Sequence, residues 1–471
     1  MSLESVNSSI TNSGTHSTQT TILFLDDWQL SSITNMDRKV GKPKWIREGT
    51  LVDGLTEGTW NFPLVVYEPD LQLWKAVYCG AVDFEPVRAN KNRFLRNQIL
   101  LYAESSDGVN WVKKDVSDQA SFPGKRYAAN QVFGLDEHCD GAPVFYDLHE
   151  RDSERRWKYF FASHRKQFLA VSPDAIHWKV EAIPLDEVTL DSPITCFYND
   201  VKGTYVLSRR VHNGDRRIAL FETMDFRTFT QPEIVIHPEP HDPPLVQFYG
   251  MPVYKYEHLF MGLLWMFHTN PGEIEYHKDF GPIDCSLAYS MDGRHFFRAL
   301  HEPFIPRNER GEHGGGSIYT STMLQAPDGH LRFYSGGSKA EHFQDQNLDD
   351  AALLLHELRK DGFFYLESHA MIGRVMTRCV DFGGNGLNLN VRAPYGRIRV
   401  QLSEAQGKPH DGFAFDDCVP FCGDSTAYSP VWKSGRLPSE LHGIRTHIEV
   451  EVTSGELYAI RGDFEIQIGS K

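Results

Sequence analysis

At 471 residues the chain is too long for one ordinary core, so length predicts two or three domains. A formal net charge of −15 argues against nucleic acid as a partner, because phosphate binding needs a basic surface. No window approaches the roughly 18 consecutive apolar residues of a membrane helix, so no membrane partner is expected.

The first 20 residues, MSLESVNSSITNSGTHSTQT, lack a basic start and an apolar core. They read as a flexible tail and not as a secretory leader. The seven cysteines are odd in number and scattered, which predicts reduced thiols and a cytoplasmic setting. Cys418 and Cys422 are not spaced like a zinc pair.

The first strong apolar run is TILFLDDWQL, Thr21 to Leu30, expected to begin the folded part and to complete the last sheet module. From there two repeats alternate. One places Pro at the head of a β-branched or aromatic run: WNFPLVVYE from Trp60, DGAPVFYD from Asp140, DSPITCFYND from Asp191 and YGMPVYKYE from Tyr249. GGGSIYTSTML from Gly314 has the run without the Pro. Pro is tolerated at the first residue of a strand, so each head is predicted to start one. A phosphate-loop reading of GGGSIY fails, because no Lys-Ser/Thr follows and a strand, not a helix, comes next.

The second repeat is an Asp-centred turn followed by an aromatic: AESSDGVNWVK from Ala103, AVSPDAIHWKV from Ala170, FETMDFRTFTQ from Phe221 and SLAYSMDGRHFFRA from Ser286. A weaker copy, HELRKDGFFY from His356, centres on Asp361. Asp bonds its own backbone two residues on and Gly tolerates positive φ, so the turn Asp residues are structural. Recurrence about every 50 to 70 residues lies in or just above the propeller range. Five strand heads alternating with five turns predict five four-stranded blades, so residues 21–365 read as a five-bladed β-propeller. After Leu366 the repeats stop, and runs such as GRIRVQLSEA and HIEVEVTS predict a β-sandwich over 366–471. The fold class expected is all-β.

Several strings carry a family resemblance: LFLDDW, QFYGMPVYKYEHLFMGLLW, SMDGRHFFRALHEPFIP and DGFAFDDCVPFCGDSTAYSPVWKSG. They resemble bacterial proteins described as glycosyl hydrolase family 32-like. More broadly the plan resembles the five-bladed propeller glycosidases of glycoside hydrolase families 32, 43, 68 and 117. The resemblance implies a glycosidase acting on a carbohydrate, with no required cofactor and, in some relatives, calcium or another divalent ion on the axis. It also implies acidic residues at the heads of blades one, two and three.

Glycoside hydrolysis uses two carboxyl groups, one protonated to serve the leaving oxygen and one ionised. Asp140 matches the blade-two position, a transition-state stabiliser or pKa modulator, and Asp191 the blade-three acid, which is normally Glu. Blade one departs from the pattern, with Asn61-Phe62-Pro63 where an Asp is due. Substitutes for its base or nucleophile are Glu57, Asp53 and Glu312. An Asp before a strand also serves as a cap or turn residue, and that bland reading stands beside the catalytic one. Substrate contacts are expected from Trp60 and Tyr249 by stacking and from Asn61, Arg126, Arg209, Gln247, His268 and His313 as polar partners. Alternation lets only one of Arg209 and Arg210 face the funnel. The cluster Asp136 to Asp140 matches no metal motif, so no metal ligand is assigned. The rival reading is a non-catalytic carbohydrate-binding or scaffolding propeller.

Overall fold

The computed structural model describes residues 19–52, 62–82, 97–137, 139–141, 143–163, 166–182, 194–212, 215–269, 281–342, 351–404 and 407–467. Their regular structure is almost wholly β-strand. The chain divides into two compact units, one of Pro43–Glu357 and one of Met1–Lys42 with Leu358–Lys471.

In the Pro43–Glu357 unit antiparallel sheets follow one another along the chain. The first runs Leu64–Glu68, Leu73–Val82, Asn97–Ser105, Val112–Lys113. The second sets Asp140–Gly141 and Phe145–Tyr146 against Trp157–Ser163, then adds Lys166–Ser172 and Lys179–Ala182. The third is Ile194–Asn199, Thr204–His212, Arg216–Thr223, Glu233–Ile236. The fourth holds two antiparallel runs. Val246–Gly250 and Val253–Tyr256 pair with Leu259–His268, which pairs with Ile283–Ser290. One parallel register point, Ile283 to Ser317, links this run to Ser317–Gln325, Leu331–Ser338, Ala351–Leu358 and Lys44–Val52.

Two strand-head expectations change. Pro143 and Pro252 sit between two short strands that pair with the same neighbour, so each interrupts an inner strand and does not begin it. The physical reason is the missing N–H, which leaves a gap in the ladder. The strand completing the last run is Lys44–Val52, paired with Ala351–Leu358; Thr20–Leu23 pairs instead with Gly455–Ile466.

Four of the Asp turns share one geometry. In each, a hydroxyl two residues before the Asp (Ser105, Ser172, Thr223 or Ser290) accepts from backbone N–H groups of the turn. The Asp carboxylate accepts from the N–H groups two and three residues on. The residue after the Asp is left-handed, with φ of 73° at Gly108 and at Ala175, 55° at Phe226 and 70° at Gly293. The turns also tie neighbouring sheets together. Arg332 and Tyr334 donate to the Asp107 and Gly108 carbonyls at 2.6 and 2.8 Å, and Asn199 donates to the Asp292 carbonyl at 2.8 Å. Trp111 meets Tyr334 edge-on at 5.9 Å, so this aromatic packs between sheets as well as over its own hairpin.

Asp361 is the exception. It is fully buried, at φ 62°, and accepts from Arg461 and Asn390 within the second unit, to which it belongs. Position 359 is Arg, so no hydroxyl stands two residues before it to close the repeated turn.

The second unit is a nine-stranded sheet. Its path is Leu30–Thr34, Gly373–Thr377, Thr446–Thr453, Val380–Glu404, Gly455–Ile466, Phe364–Ser368, Asp37–Val40, with Thr20–Leu23 and Phe421–Tyr428 off it. The long strand Val380–Glu404 pairs with Gly455–Ile466 along its first half and with Thr446–Thr453 along its second, changing register between Ala393 and Ile398 against Phe421–Tyr428. Alternating apolar residues Val391, Ile398, Val400, Leu402, Ile448, Val450 and Ile460 are buried in its core.

Candidate active site

Near the start of one strand in each of four antiparallel pairs, Asp140 faces Ala162, Ile194 faces Arg209, Gln247 faces Phe267 and Ser317 faces Ser338.

Asp140 is half-buried, and its Oδ1 accepts from the Gln98 side-chain amide at 3.0 Å. The same Gln98 accepts from Gly141 N–H at 2.8 Å, so a residue of the first sheet fixes the strand head of the second. Asn97 secures the preceding residue by accepting from Cys139 N–H at 2.8 Å. Position 141 must be Gly, since a Cβ there would lie 1.8 Å from the Tyr159 hydroxyl. Beneath Asp140 the Cys79 and Cys139 thiols are pushed up by burial, with the Asp140 charge adding to the effect. Tyr159 is raised for the same reasons.

A second group borders the same buried cluster, which contains Cys139, Tyr159, Tyr249, Trp265, Phe267 and Tyr319. The Arg210 guanidinium lies 4.1 Å over the Tyr249 ring. Tyr249 meets His342 edge-on at 4.8 Å, and His342 Nδ1 bonds the Tyr319 hydroxyl at 3.0 Å. Both arginines are buried, at 1% and 4% exposure, and it is the Arg210 guanidinium that lies on Tyr249. Trp265 is core: it stacks on Phe62 at 5.2 Å and donates its indole N–H to the Thr320 carbonyl at 2.8 Å. Gln247 accepts from Arg216 at 2.8 Å, and Arg216 lies 5.3 Å over Phe267. His268 Nε2 bonds the Asp284 carboxylate at 2.9 Å.

Other candidates have local roles. Arg126 donates to the Gln131 and Ala120 carbonyls at 2.8 and 2.6 Å, bracing its own loop. Glu312 is ion-paired with Arg47 at 2.9 Å, and the His313 carbonyl accepts from Asn308 at 2.7 Å. Asp191, Glu57, Asp53, Trp60 and Asn61 lie outside the described residues. Among the described residues no three His, Cys, Asp or Glu side chains are grouped to hold a metal.

Sequence reasoning missed Gln98, Arg216, Asp284 and His342. Three of them lie on strands behind the inner ones, where the only signal is a polar residue at the edge of an apolar run, as in NQILLYAES and IDCSLAYS. His342 lies beyond the strand Leu331–Ser338 and carries no such mark.

No protein-family model matches the chain, and no curated protein matches it. Solved structures that the chain matches include a thermostable family-43 glycoside hydrolase, with a TM-score of 0.44 at 13% identity over 65% of this chain and 92% of that one. A glycosyl hydrolase from Bacteroides ovatus has a TM-score of 0.44 at 12% identity over 68% of this chain and 94% of that one. A β-1,2-mannobiose phosphorylase from Listeria innocua has a TM-score of 0.41 at 13% identity over 69% of this chain and 97% of that one.

Proposed function

We propose that the chain is a glycoside hydrolase that removes a terminal sugar from an oligo- or polysaccharide. In this reading the strand runs of Pro43–Glu357 are the blades of a five-bladed propeller, and the other unit is its β-sandwich accessory. The observation that carries the reading is Asp140, a half-buried carboxylate fixed at a strand head by Gln98 and seated on a buried aromatic cluster that also bears Tyr249 with Arg210 on its face. A carboxylate held in this way suits the acid–base chemistry of a glycosidic bond, while Tyr249, 7% exposed with Arg210 over its ring, is packed core and does not present the stacking face expected of it.

In the mechanism Asp191 protonates the leaving oxygen, and Asp140 modulates that acid and orients the ring. Glu57 or Glu312 serves as base or nucleophile, Glu312 being ion-paired with the exposed Arg47 at 2.9 Å. Positioned proton transfer of this kind is worth about 10²- to 10⁴-fold in rate.

The test is hydrolysis of a panel of 4-nitrophenyl glycosides and plant or bacterial glycan fragments by the wild type and by Asp140→Asn and Asp191→Asn. On any substrate the wild type cleaves, each variant is expected to lose at least about 10²-fold in kcat with an unchanged melting temperature. Full rates in both variants would remove these carboxylates from the mechanism. A wild type that binds glycans and cleaves none would favour the carbohydrate-binding reading.

A further inference from the structure

Outside the propeller unit, one pair of side chains has a geometry that the proposed hydrolysis does not use. Cys379 lies between the strands Gly373–Thr377 and Val380–Glu404, and His447 is the second residue of Thr446–Thr453. His447 Nδ1 is 2.7 Å from the Thr377 carbonyl oxygen. A carbonyl oxygen only accepts, so Nδ1 carries the proton and Nε2 is left as the bare acceptor. That bare nitrogen stands 3.4 Å from Cys379 Sγ, against 4.0 Å for Nδ1. The backbone holds both partners: Gln467 N–H donates to the Cys379 carbonyl at 2.8 Å, and Ile448 N–H donates to the Thr377 hydroxyl at 3.0 Å.

This is the arrangement in which an oriented imidazole takes a thiol proton, and the thiolate is the reactive form of cysteine. Cys379 and His447 are each 8% exposed, whereas Cys79, Cys139, Cys285 and Cys418 are at 1% or less. Burial pushes those four thiols up and does the same at Cys196.

We propose that Cys379 and His447 form a reactive thiol–imidazole pair, a modification site for small soft electrophiles and for hydrogen peroxide. With peroxide, His447 Nε2 takes the Cys379 proton and the thiolate sulfur attacks one peroxide oxygen. The O–O bond breaks, and the departing hydroxide recovers the proton from His447 as water. The sulfur is oxidised to the sulfenic acid and one peroxide is reduced to water, so the step balances.

The full chain, treated under native conditions with limiting iodoacetamide, is read by peptide mass spectrometry at each cysteine. Cys379 is expected to alkylate about tenfold faster than Cys196, which is 7% exposed and sits near Asp147 and Lys158. His447→Gln, which keeps a donor for the Thr377 carbonyl and loses the proton acceptor, is expected to slow Cys379 about tenfold and leave exposed Cys422 unchanged. After one equivalent of peroxide, dimedone is expected to label Cys379 in the wild type and not in the variant. Equal rates at Cys379 and Cys196 in the wild type would overturn the proposal, as would a variant in which Cys379 reacts as before. The wild-type comparison decides the matter even where the variant does not fold.

Discussion

The repeated turn shows how much one local motif settles. In Ser290-Met291-Asp292-Gly293 the carboxylate of Asp292 accepts from Arg294 and His295 N–H groups at 2.8 and 2.9 Å, and Ser290 Oγ accepts from Gly293 N–H at 2.9 Å. Burial acts to raise the Asp292 carboxyl, but the bonds from His295 and Arg294 outweigh it and hold the group well below the usual carboxylate range. The sign follows from linkage. A carboxyl depressed in the folded state stabilises above its unfolded value, about 3.9, and the stabilisation is lost as pH falls through the folded value. Asp107, Asp174 and Asp225 are lowered too, so the effects accumulate. The melting temperature of the wild type is therefore expected to fall steeply below about pH 4, and Asp292→Asn to show a shallower acid slope. At neutral pH that variant is expected to lose about 1 kcal/mol in urea unfolding. Such turns were legible because an aromatic follows each of these Asp residues four positions on; the hydroxyl that closes them was not read. Asp361 was misread because the Asp-Gly pair resembles the repeat while the missing hydroxyl at 359, which decides the geometry, is a weaker mark.

At the scale of strands the sequence marked the apolar runs well and the polar partners inside them poorly. Lys158 sits in the run WKYFFAS and is wholly buried, donating to Asp147 at 2.8 Å, Glu150 at 3.2 Å and the Arg155 carbonyl at 2.8 Å. Its ammonium also lies 5.6 Å over the Phe226 ring of the third sheet's turn. Asp147 is likewise wholly buried, so removing the lysine strands a charge. Lys158→Met is expected to cost about 3–5 kcal/mol in denaturant unfolding, and Lys158→Met with Asp147→Leu to recover most of that loss. A double variant as unstable as the single one would mean that the pair does more than neutralise itself. Gln98 and Asp284 escaped notice for the same reason as Lys158. A polar residue in a strand shows its purpose only once the partner strand, 42 residues away for Asp140, is in place.

The division of the whole molecule was the least legible feature, because it depends on pairings between distant residues. Thr21 pairs with Arg461 and Asp37 with Glu367, contacts that leave no local trace in either segment. The Pro43–Glu357 unit, by contrast, is continuous in sequence, and its first strand lies against its last. Leu353 and Leu355, fully buried, face Leu51 and Ile46 across that pairing. A fragment of residues 43–357 is therefore expected to unfold in one cooperative step and to stay monomeric in sedimentation. A fragment of residues 64–357 lacks Lys44–Val52 and leaves the apolar strand Ala351–Leu358 as an open edge, which is a template for pairing with other chains. It is expected to aggregate or to elute as oligomers. If both fragments behaved alike, the pairing of Lys44–Val52 with Ala351–Leu358 would not be what closes the unit. If neither folded, Pro43–Glu357 would not be an independent folding unit.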